Sequence, residues 1–245
     1  NVPEDEFELY KTFSNRNDTA FIDKEVSVNE QSYCYRMRVK DVCGFYSEFS
    51  NMGCSIVLSG ESEPFKHFLD WNRYKNWLAN VDHYKIYRRD PLFDTNFRRI
   101  AEVNQGRVEY VDDNLNHDVG AYWYKVRAYR QKNKPTGKDI YSQSNTIYLE
   151  QAPKLHVPNA FSINKDGLNE YWGLEDVFVK DFHVKVFNRW GQKVYESTDK
   201  TEKWYGPEMH SYPEKFDDNV FIYIITYTGW DGSFHKKSGD LTILK

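Results

Sequence analysis

Apolar and polar side chains alternate along several short stretches of the chain. In the stretch 33–39, the apolar side chains of Tyr35, Met37 and Val39 are separated by arginines. Alternation with a period of two is typical of a β-strand that has one face in a core and the other in water. The same alternation returns at Tyr124, and residue types that favour strands are frequent throughout. The pattern predicts an all-β protein.

An internal repeat occupies the part of the chain before residue 150. The segment Tyr33–Val39 matches Tyr122–Ala128, at an offset of 89 positions. Three further pairs of segments match in the same order: Phe7–Lys11 with Tyr84–Arg88, Phe21–Asp23 with Tyr110–Asp112, and Ser50–Asn51 with Ser144–Asn145. A period near 90 residues, built from alternating strands, is typical of tandem β-sandwich domains.

Two features of the repeat resemble the fibronectin type III family. Tyr33 and Tyr122 each begin a strand, which is where a β-sandwich places its tyrosine corner. Upstream in the second copy, Leu69 and Trp71 alternate with polar residues, so Trp71 is predicted to be the core tryptophan. The resemblance implies immunoglobulin-like sandwiches in tandem.

The division into domains follows from the repeat. The first copy has no counterpart of the strand that carries Trp71, so we expect residues 1–58 to be a truncated fibronectin type III-like domain whose partner strands lie upstream in the same polypeptide. Residues 59–150 are predicted to form a complete domain of this type. A short linker is predicted at Glu150–Lys154, and residues 151–245 are assigned to a different domain.

The last part of the chain carries five motifs in order. They are Val157–Glu170, which contains Pro158, Asn159 and Phe161 before a turn rich in Asn, Asp and Gly; Val186–Glu196; Lys203–Gly206; Val220–Tyr227; and Ser238–Lys245. Together they resemble the gliding-motility-associated C-terminal domain, a type B sorting domain of the type IX secretion pathway. Tyr205 stands where the family usually has an acidic residue, and Ile163, Lys165 and Glu170 depart from its turn pattern.

Periodicity also predicts strands in this C-terminal part. Phe182 and Val184 alternate with polar residues, and Arg189-Trp190-Gly191 forms a tight turn before a returning strand. The stretch Val220–Tyr227 is apolar on both faces, so it is either a central strand covered on both sides or a docking patch. The complete prediction is an all-β chain of tandem immunoglobulin-like/fibronectin type III-like β-sandwiches with a C-terminal β-sandwich sorting domain.

The resemblance implies that the chain is the C-terminal part of a secreted cell-surface protein of the adhesin or gliding-motility type. The preceding sandwiches would be stalk modules. The partners would be the outer-membrane type IX translocon and its shuttle and attachment proteins, and the destination the cell surface of a Gram-negative bacterium. If the terminal strand lies at a sheet edge, its free N–H and C=O groups would offer a docking site.

Eight residues of the resembling motifs are candidates for contact with the export machinery. They are Pro158, Asn159, Phe161, Asn188, Arg189, Trp190, Gly191 and Lys245. The alternative is that these residues only fix turns and core, and that the machinery reads the folded shape.

The composition and the motifs of the chain narrow the classes of function that it can have. The 245 residues carry a formal net charge of −4, which gives no electrostatic reason to expect nucleic acid or an anionic membrane as a partner. No apolar run approaches the ~18 residues that a membrane-spanning helix needs. Hydrolase-elbow, phosphate-loop, dinucleotide-binding and zinc-protease motifs are absent, and no two histidines stand at metal-ligand spacing. We therefore predict that this chain is not an enzyme and needs no cofactor.

The turn after Phe161 is a candidate metal site. Asn164, Asp166 and Asn169 place oxygen-bearing side chains around Gly167, a pattern that would suit Ca²⁺. The alternative is an Asx-type turn, in which the same oxygens accept hydrogen bonds from their own backbone.

All three cysteines lie in the first domain. Cys43 and Cys54 flank a predicted hairpin and are the candidate disulfide, which an extracellular compartment would allow. Cys34 is expected to point outward from its strand, and the odd number of cysteines is expected if a partner lies upstream.

Two other functions are open at this point. The chain would be a carbohydrate-binding accessory region of a secreted polysaccharide-degrading enzyme if aromatic residues such as Trp77 stack on sugars. A tryptophan packed in a loop is the alternative reading of Trp77. A catalytic domain upstream of this chain is the other possibility.

Overall fold

The computed structural model describes residues 7–15, 17–74, 81–92, 95–130, 140–207 and 220–244, and their regular secondary structure consists of β-strands. The strands before the C-terminal region are β1 (Cys34–Tyr35), β2 (Gly53–Cys54), β3 (Leu58–Glu63), β4 (Lys66–Trp71), β5 (Val81–Arg89), β6 (Arg98–Asn104), β7 (Glu109–Asp112), β8 (Ala121–Arg130), β9 (Tyr141–Gln143) and β10 (Ile147–Glu150). Those that follow are β11 (Lys154–His156), β12 (Ala160–Ser162), β13 (Glu175–Val177), β14 (Val179–Phe187), β15 (Lys193–Ser197), β16 (Val220–Gly229) and β17 (Phe234–Leu244). The all-β prediction is confirmed. Within the described ranges, no helix has the length and apolarity that crossing a bilayer requires.

Strands β3 to β10 form a two-layer sandwich. One layer has the order β3-β4-β7, and the other has the order β10-β8-β5-β6 with β9 also paired to β8. Apolar residues of the two inner faces, among them Leu69, Tyr84 and Val126, meet in one buried core. Trp71 belongs to this core, as predicted, and its ring centroid lies 5.5 Å from that of Tyr84.

The internal repeat is reproduced in the hydrogen bonds of the two copies. The hydroxyl of Tyr122 accepts a hydrogen bond from the backbone N–H of Asn116, and the hydroxyl of Tyr33 accepts one from Ser27. The spacing is six residues in both cases. This is the geometry of a tyrosine corner, so both tyrosines play the part that the sequence predicts.

A second hydrogen-bond pattern recurs at matching positions of the two copies. The Ser144 hydroxyl accepts the N–H of Val126 at 2.9 Å, while the N–H of Ser144 donates to the Val126 carbonyl. Ser50 and Met37 make the same reciprocal pair, again at 2.9 Å for the hydroxyl. The match between the two copies is therefore structural as well as sequential.

The first copy departs from the strand that the alternation predicts. Only Cys34–Tyr35 of the stretch 33–39 forms a strand, paired with β2. Met37 and Val39 are 72% and 71% exposed instead of facing a core. The physical reason is that the described part of the chain supplies no second sheet over this hairpin, so the predicted inner face has nothing to pack against.

The disulfide joins Cys34 to Cys54, and Cys43 is an exposed free thiol. The predicted pairing of Cys43 with Cys54 is wrong. Cys34 and Cys54 are direct partners across β1 and β2, with their Cα atoms 4.0 Å apart. Cys43 lies instead in a turn that Asp41 holds through its carboxylate. Strand register, which the cysteine spacing does not reveal, decides the pairing.

A thiol-labelling experiment tests this pairing. Without reductant, a maleimide should modify one cysteine per chain, and peptide mass spectrometry should locate the label on Cys43. After reduction in denaturant, all three cysteines should react. The variant Cys43→Ser should show no label without reductant, because it retains the disulfide. A label on Cys34 in the unreduced chain would contradict the structure.

Strands β11 to β17 build the C-terminal domain. Its main sheet has the order β12-β17-β16-β14-β15, with β12 parallel to β17 and the other neighbours antiparallel. A smaller sheet pairs β11 with β13. The core surrounds the fully buried Trp204, whose ring contacts those of Phe161, Trp172, Tyr195 and Phe221 at centroid distances of 5.7, 6.3, 5.5 and 5.4 Å.

The predicted linker at Glu150–Lys154 is instead part of a packed joint between the two domains. Gln151 is buried, and its side-chain amide bonds to the backbone of Glu63, Phe65 and Lys66 in the turn between β3 and β4. Glu150 ends one strand and Lys154 begins another. Composition alone predicts a linker here, but the tertiary contacts fix its backbone.

Phe178 is the centre of this joint. The residue lies between β13 and β14 of the C-terminal domain, yet its ring belongs to the core of the preceding sandwich and contacts the ring of Phe65 at 5.3 Å. Its backbone N–H donates to the carbonyl of His117 at 2.7 Å. The backbone at Phe178 has a φ of +61°, a conformation that is unfavourable for a bulky side chain.

Two side chains of the C-terminal domain also contact the loop of the sandwich that contains His117 and Asp118. The indole N–H of Trp230 donates to the carbonyl of Asp118 at 3.2 Å. Lys200 forms an ion pair with Asp176 at 2.6 Å and reaches the Asp118 carboxylate at 3.5 Å. A side chain at Gly120 would come within 2.8 Å of Trp230, so the close approach of the two domains requires glycine there.

Candidate functional site

The opening motif of the C-terminal domain is used mainly for folding. The carbonyl of Pro158 accepts the indole N–H of Trp172 at 2.8 Å, and the carbonyl of Asn159 accepts the N–H of Thr242 at 2.8 Å. Phe161 is buried in the core beside Trp204. The motif therefore fixes β12 alongside β17, and within residues 158–161 Asn159 is the exposed one.

The central hairpin contains a turn that one asparagine organises. The side-chain oxygen of the buried Asn188 accepts hydrogen bonds from the backbone N–H groups of Trp190 and Gln192, at 3.1 and 2.9 Å. Gly191 has a φ of +78°, so a residue without Cβ suits the turn, as predicted. Arg189 and Trp190 project from its tip, and Trp190 is 64% exposed with the guanidinium of Arg189 4.4 Å from its ring centroid.

The structure does not bring the candidate partner-binding residues together. Strand β12 lies at one edge of the sheet and the β14–β15 hairpin at the other, with β17 and β16 between them. Arg189 and Trp190 are the described members of the set that have large exposed side chains. Lys245 lies outside the described residues, as does Trp77.

The candidate metal turn uses its oxygens internally. The side-chain oxygen of Asn164 accepts the N–H of Asp166, and the Asp166 carboxylate accepts the N–H of Leu168 at 2.8 Å. The bond from Leu168, followed by one that the side-chain amide of Asn164 donates to the same carboxylate, lowers the pKa of Asp166 below its ordinary value. Asn169 has a φ of +53° within the turn. The arrangement is an Asx-type turn, and calcium binding remains a prediction.

The terminal strand is not an edge strand over its whole length. Residues 242–244 of β17 pair with β12, whereas residues from Phe234 to Leu241 pair with β16 alone. Within the described residues, the free edge is therefore the first part of the strand and not its end. The edge carries His235, Lys236 and Lys237, and charged residues on an edge disfavour unspecific pairing with other strands.

The long apolar strand β16 is central and is covered unequally on its two faces. Phe221, Tyr223 and Ile225 point into the core and are buried. Val220 and Ile222, on the opposite face, are about half exposed, at 51% and 47%. The described residues thus cover one face only, and a role of the other face in docking remains a prediction.

The strongest cluster of buried titratable groups lies in the preceding sandwich. Arg88 donates to the carboxylate of Asp112 at 2.7 Å, and the hydroxyl of Tyr124 donates to the same carboxylate at 2.8 Å. His67 contacts the Tyr124 hydroxyl through Nδ1 at 2.8 Å, and it must be the donor because the hydroxyl proton goes to Asp112. The first copy has the matching bond from Tyr35 to its own aspartate. This recurrence indicates a structural network rather than a reaction centre.

The His67 network predicts a loss of stability in mild acid. Burial lowers the pKa of His67 from 6.5 to about 4. The neutral His67 side chain therefore makes its full contribution to the free energy of unfolding above pH 6.5. As the pH falls from 6.5 towards 4, the free energy of unfolding decreases by about 3 kcal/mol in total, because the unfolded chain binds the proton more tightly. Denaturant unfolding of the chain and of His67→Gln at several pH values would measure it. The stability advantage of the native chain over the variant should shrink by about that amount, and a pH-independent difference would contradict the assignment.

The described residues contain no group of three or more His, Cys, Asp or Glu side chains arranged to hold a metal ion. In the C-terminal domain, the described residues form an apolar core, turns and two exposed surfaces, which are the tip of the central hairpin and the outer face of β16. Such an arrangement suits recognition by another macromolecule.

The C-terminal domain matches the model of a known protein family. The family model of the CHU_C Type IX secretion signal domain matches residues 155–243. This confirms the resemblance seen in the five motifs. No curated protein matches the chain.

Solved structures show broader and weaker similarity. Among them are a four-repeat segment from the extending region of a large adhesion protein (12% identity, TM-score 0.40, 86% of this chain and 56% of that one) and the FN1-FN3 domains of chicken CNTN1 (12%, 0.32, 78% and 65%). Pectate lyase Pel3 from Pectobacterium carotovorum is a third (18%, 0.32, 44% and 33%). The chain thus covers between one third and two thirds of the length of each of these structures.

Proposed function

We propose that this chain is the C-terminal part of a surface adhesin or gliding-motility protein, because residues 155–243 match the type IX secretion signal domain. The type IX translocon would recognise this last domain as the export signal. The single observation that carries the proposal is the family match, which coincides with the β-domain built from β11 to β17 and its own core. The preceding sandwich would be a stalk module that holds the upstream part of the protein away from the outer membrane.

Within the signal domain, we assign recognition to the tip of the central hairpin. Arg189 and Trp190 are exposed there on a turn that is formed by hydrogen bonds to Asn188 and by the positive φ of Gly191. A solvent-exposed tryptophan stacked with a guanidinium presents both apolar area and positive charge, which suits a protein partner. The other motif residues would act indirectly, by keeping the hairpin and its sheet in shape.

The export test uses a fluorescent reporter with a signal peptide, fused in front of residues 1–245 and expressed in a host that has this secretion system. The reporter should reach the cell surface or the medium. A fusion that ends at Pro153 should stay in the periplasm, as should the complete fusion in a host without the translocon. Surface display of the fusion ending at Pro153 would refute the proposal.

Point variants separate recognition from folding. Arg189→Ala with Trp190→Ala should change the free energy of unfolding by no more than about 0.5 kcal/mol, since both side chains are exposed. Export of the reporter should nevertheless fall severalfold. Phe234→Ala, which removes another exposed aromatic side chain of the same domain, is the matched control and should be exported normally. Normal export of the double variant would show that the machinery reads another surface.

A further inference from the structure

The outer face of the five-stranded sheet in the sandwich carries an unusual array of side chains. The inner face of β5 and β8 is apolar, so the alternate residues of these strands project to the opposite side. On that side, aromatic rings and cationic groups succeed one another along the strands. We define this surface as the cation–aromatic face; its principal members are Tyr87, Arg89, Trp123, Lys125, Arg127, Tyr141 and Tyr148.

The array consists of two groups of contacting rings and guanidinium groups along the sheet. Trp123 lies 4.7 Å from Tyr148 between ring centroids, and the guanidinium of Arg89 lies 4.2 Å from the Trp123 centroid. The guanidinium of Arg127 lies between two further rings, 4.8 Å from Tyr87 and 4.5 Å from Tyr141. Tyr148 and Tyr141 remain 42% and 45% exposed, so the aromatic surface is open at both ends.

The described residues do not place a counter-charge beside the cationic groups of this face. Among the described residues, no carboxylate lies within ion-pair distance of Arg89, Lys125 or Arg127. Partial burial, followed by the charges of Arg127 and Arg89, lowers the pKa of Lys125. Within the same part of the chain, the buried Nε of Arg89 has no hydrogen-bond partner.

The carboxylates that do belong to this face lie at its margins. Glu102, on β6, is paired with Arg99 at 3.0 Å and lies 3.9 Å from a ring nitrogen of His83. Glu150 lies at the end of β10, and after burial it is the largest cause of the raised pKa of Tyr148, at about 12. The centre of the face is therefore cationic in a chain whose overall formal charge is −4.

We propose that the cation–aromatic face binds an acidic polysaccharide of the polyuronate class. Aromatic rings offer flat apolar surfaces on which the C–H faces of sugar rings can stack. Guanidinium groups match the planar geometry of a carboxylate and form paired hydrogen bonds with it. Lys125 and Arg127 are two residues apart on one strand, so their backbone positions are about 7 Å apart, and they can contact successive parts of an extended chain. The choice of a glycan over nucleic acid rests on the proposed export to the cell surface.

The test is native gel electrophoresis of the 245-residue chain in gels that contain polygalacturonate. We expect the polysaccharide to retard migration, although the negative charge of the protein opposes unspecific attraction to a polyanion. Dextran, which is neutral, should have no effect. Dextran sulfate and single-stranded DNA should retard the chain less than polygalacturonate at equal charge concentration. Equal retardation by all three polyanions would show unspecific ion exchange and would overturn the proposal.

Substitutions locate the site. Lys125→Glu and Tyr148→Ala should each weaken polygalacturonate binding by about fivefold or more, which corresponds to roughly 1 kcal/mol. Arg107→Glu makes the same charge change in an exposed loop of the same sandwich, and Tyr205→Ala removes an exposed tyrosine of the C-terminal domain; both should bind normally. If Lys125→Glu does not fold, Lys125→Gln takes its place, and Tyr148→Ala still tests the aromatic part of the site. No binding by the native chain, or equal loss in the controls, would contradict the site.

The binding test and the export test fail separately. Binding is measured on purified protein and does not depend on the secretion system. A chain that binds polygalacturonate but is not exported would contradict the proposed function alone. A chain that is exported but is not retarded would contradict the glycan site alone.

Discussion

Replacing Phe178 with alanine is expected to lower the free energy of unfolding by about 3–5 kcal/mol, the range for removing a buried aromatic ring. The ring comes from the C-terminal domain but lies in the core of the preceding sandwich, against Phe65. Its loss leaves a cavity at the joint and removes the main apolar contact between the two domains. Calorimetry should therefore show two separate unfolding transitions in the variant. In the native chain, we expect the two domains to unfold together in one transition.

A glycine variant at the same position distinguishes backbone strain from packing. Phe178 has a φ of +61°, and an L-residue in that conformation costs about 1–2 kcal/mol more than glycine does. Phe178→Gly should thus be about 1 kcal/mol more stable than Phe178→Ala, while both remain well below the native chain. The control is Phe234→Ala, because Phe234 is largely exposed. A loss below about 1 kcal/mol for Phe178→Ala would mean that the ring does not pack as described.

Replacing Trp204 with alanine is expected to be equally damaging and to act within the C-terminal domain alone. Trp204 is fully buried and contacts four other aromatic rings. The expected cost is about 3–5 kcal/mol, which is a large fraction of the 5–15 kcal/mol typical of a domain. Urea unfolding followed by far-ultraviolet circular dichroism would measure it. Trp190→Ala, at the exposed hairpin tip, should change the stability by no more than about 0.5 kcal/mol.

The two tryptophan variants also bear on the proposed function. Both should reduce export of the reporter, but for different reasons. Trp204→Ala should reduce it together with the folded fraction of the domain. Trp190→Ala should reduce it while the domain remains folded. Normal export of a chain with Trp204→Ala that is shown to be unfolded would mean that the machinery reads a linear segment.

Much of the fold was predictable from the chain because it depends on local rules. Alternation of apolar and polar residues predicts β4, β8 and β14, since a strand places successive side chains on opposite faces. The core position of Trp71, the two tyrosine corners and the turn at Gly191 follow from residue type and spacing. The motifs of the last domain likewise indicate its family, which the family model confirms.

Other features depend on distances between segments far apart in the sequence. Cys54 pairs with Cys34 and not with Cys43, because strand register sets which sulfur atoms meet. The linker at Gln151 is fixed by backbone groups of a turn more than eighty residues upstream. The alternation around Met37 is intact, but no described sheet covers it, so the residue remains exposed.

The sequence by itself determined the all-β class, the internal repeat and the signal-domain family, because these are recorded in residue type and short-range spacing. The tertiary structure alone decided that Phe178 belongs to the core of the neighbouring domain and that the ring and guanidinium groups around Trp123 and Arg127 share one outer face. Side chains from different strands become neighbours only when the sheet pairs those strands. Long-range pairing is therefore what turns the separate aromatic and cationic residues of this chain into a surface.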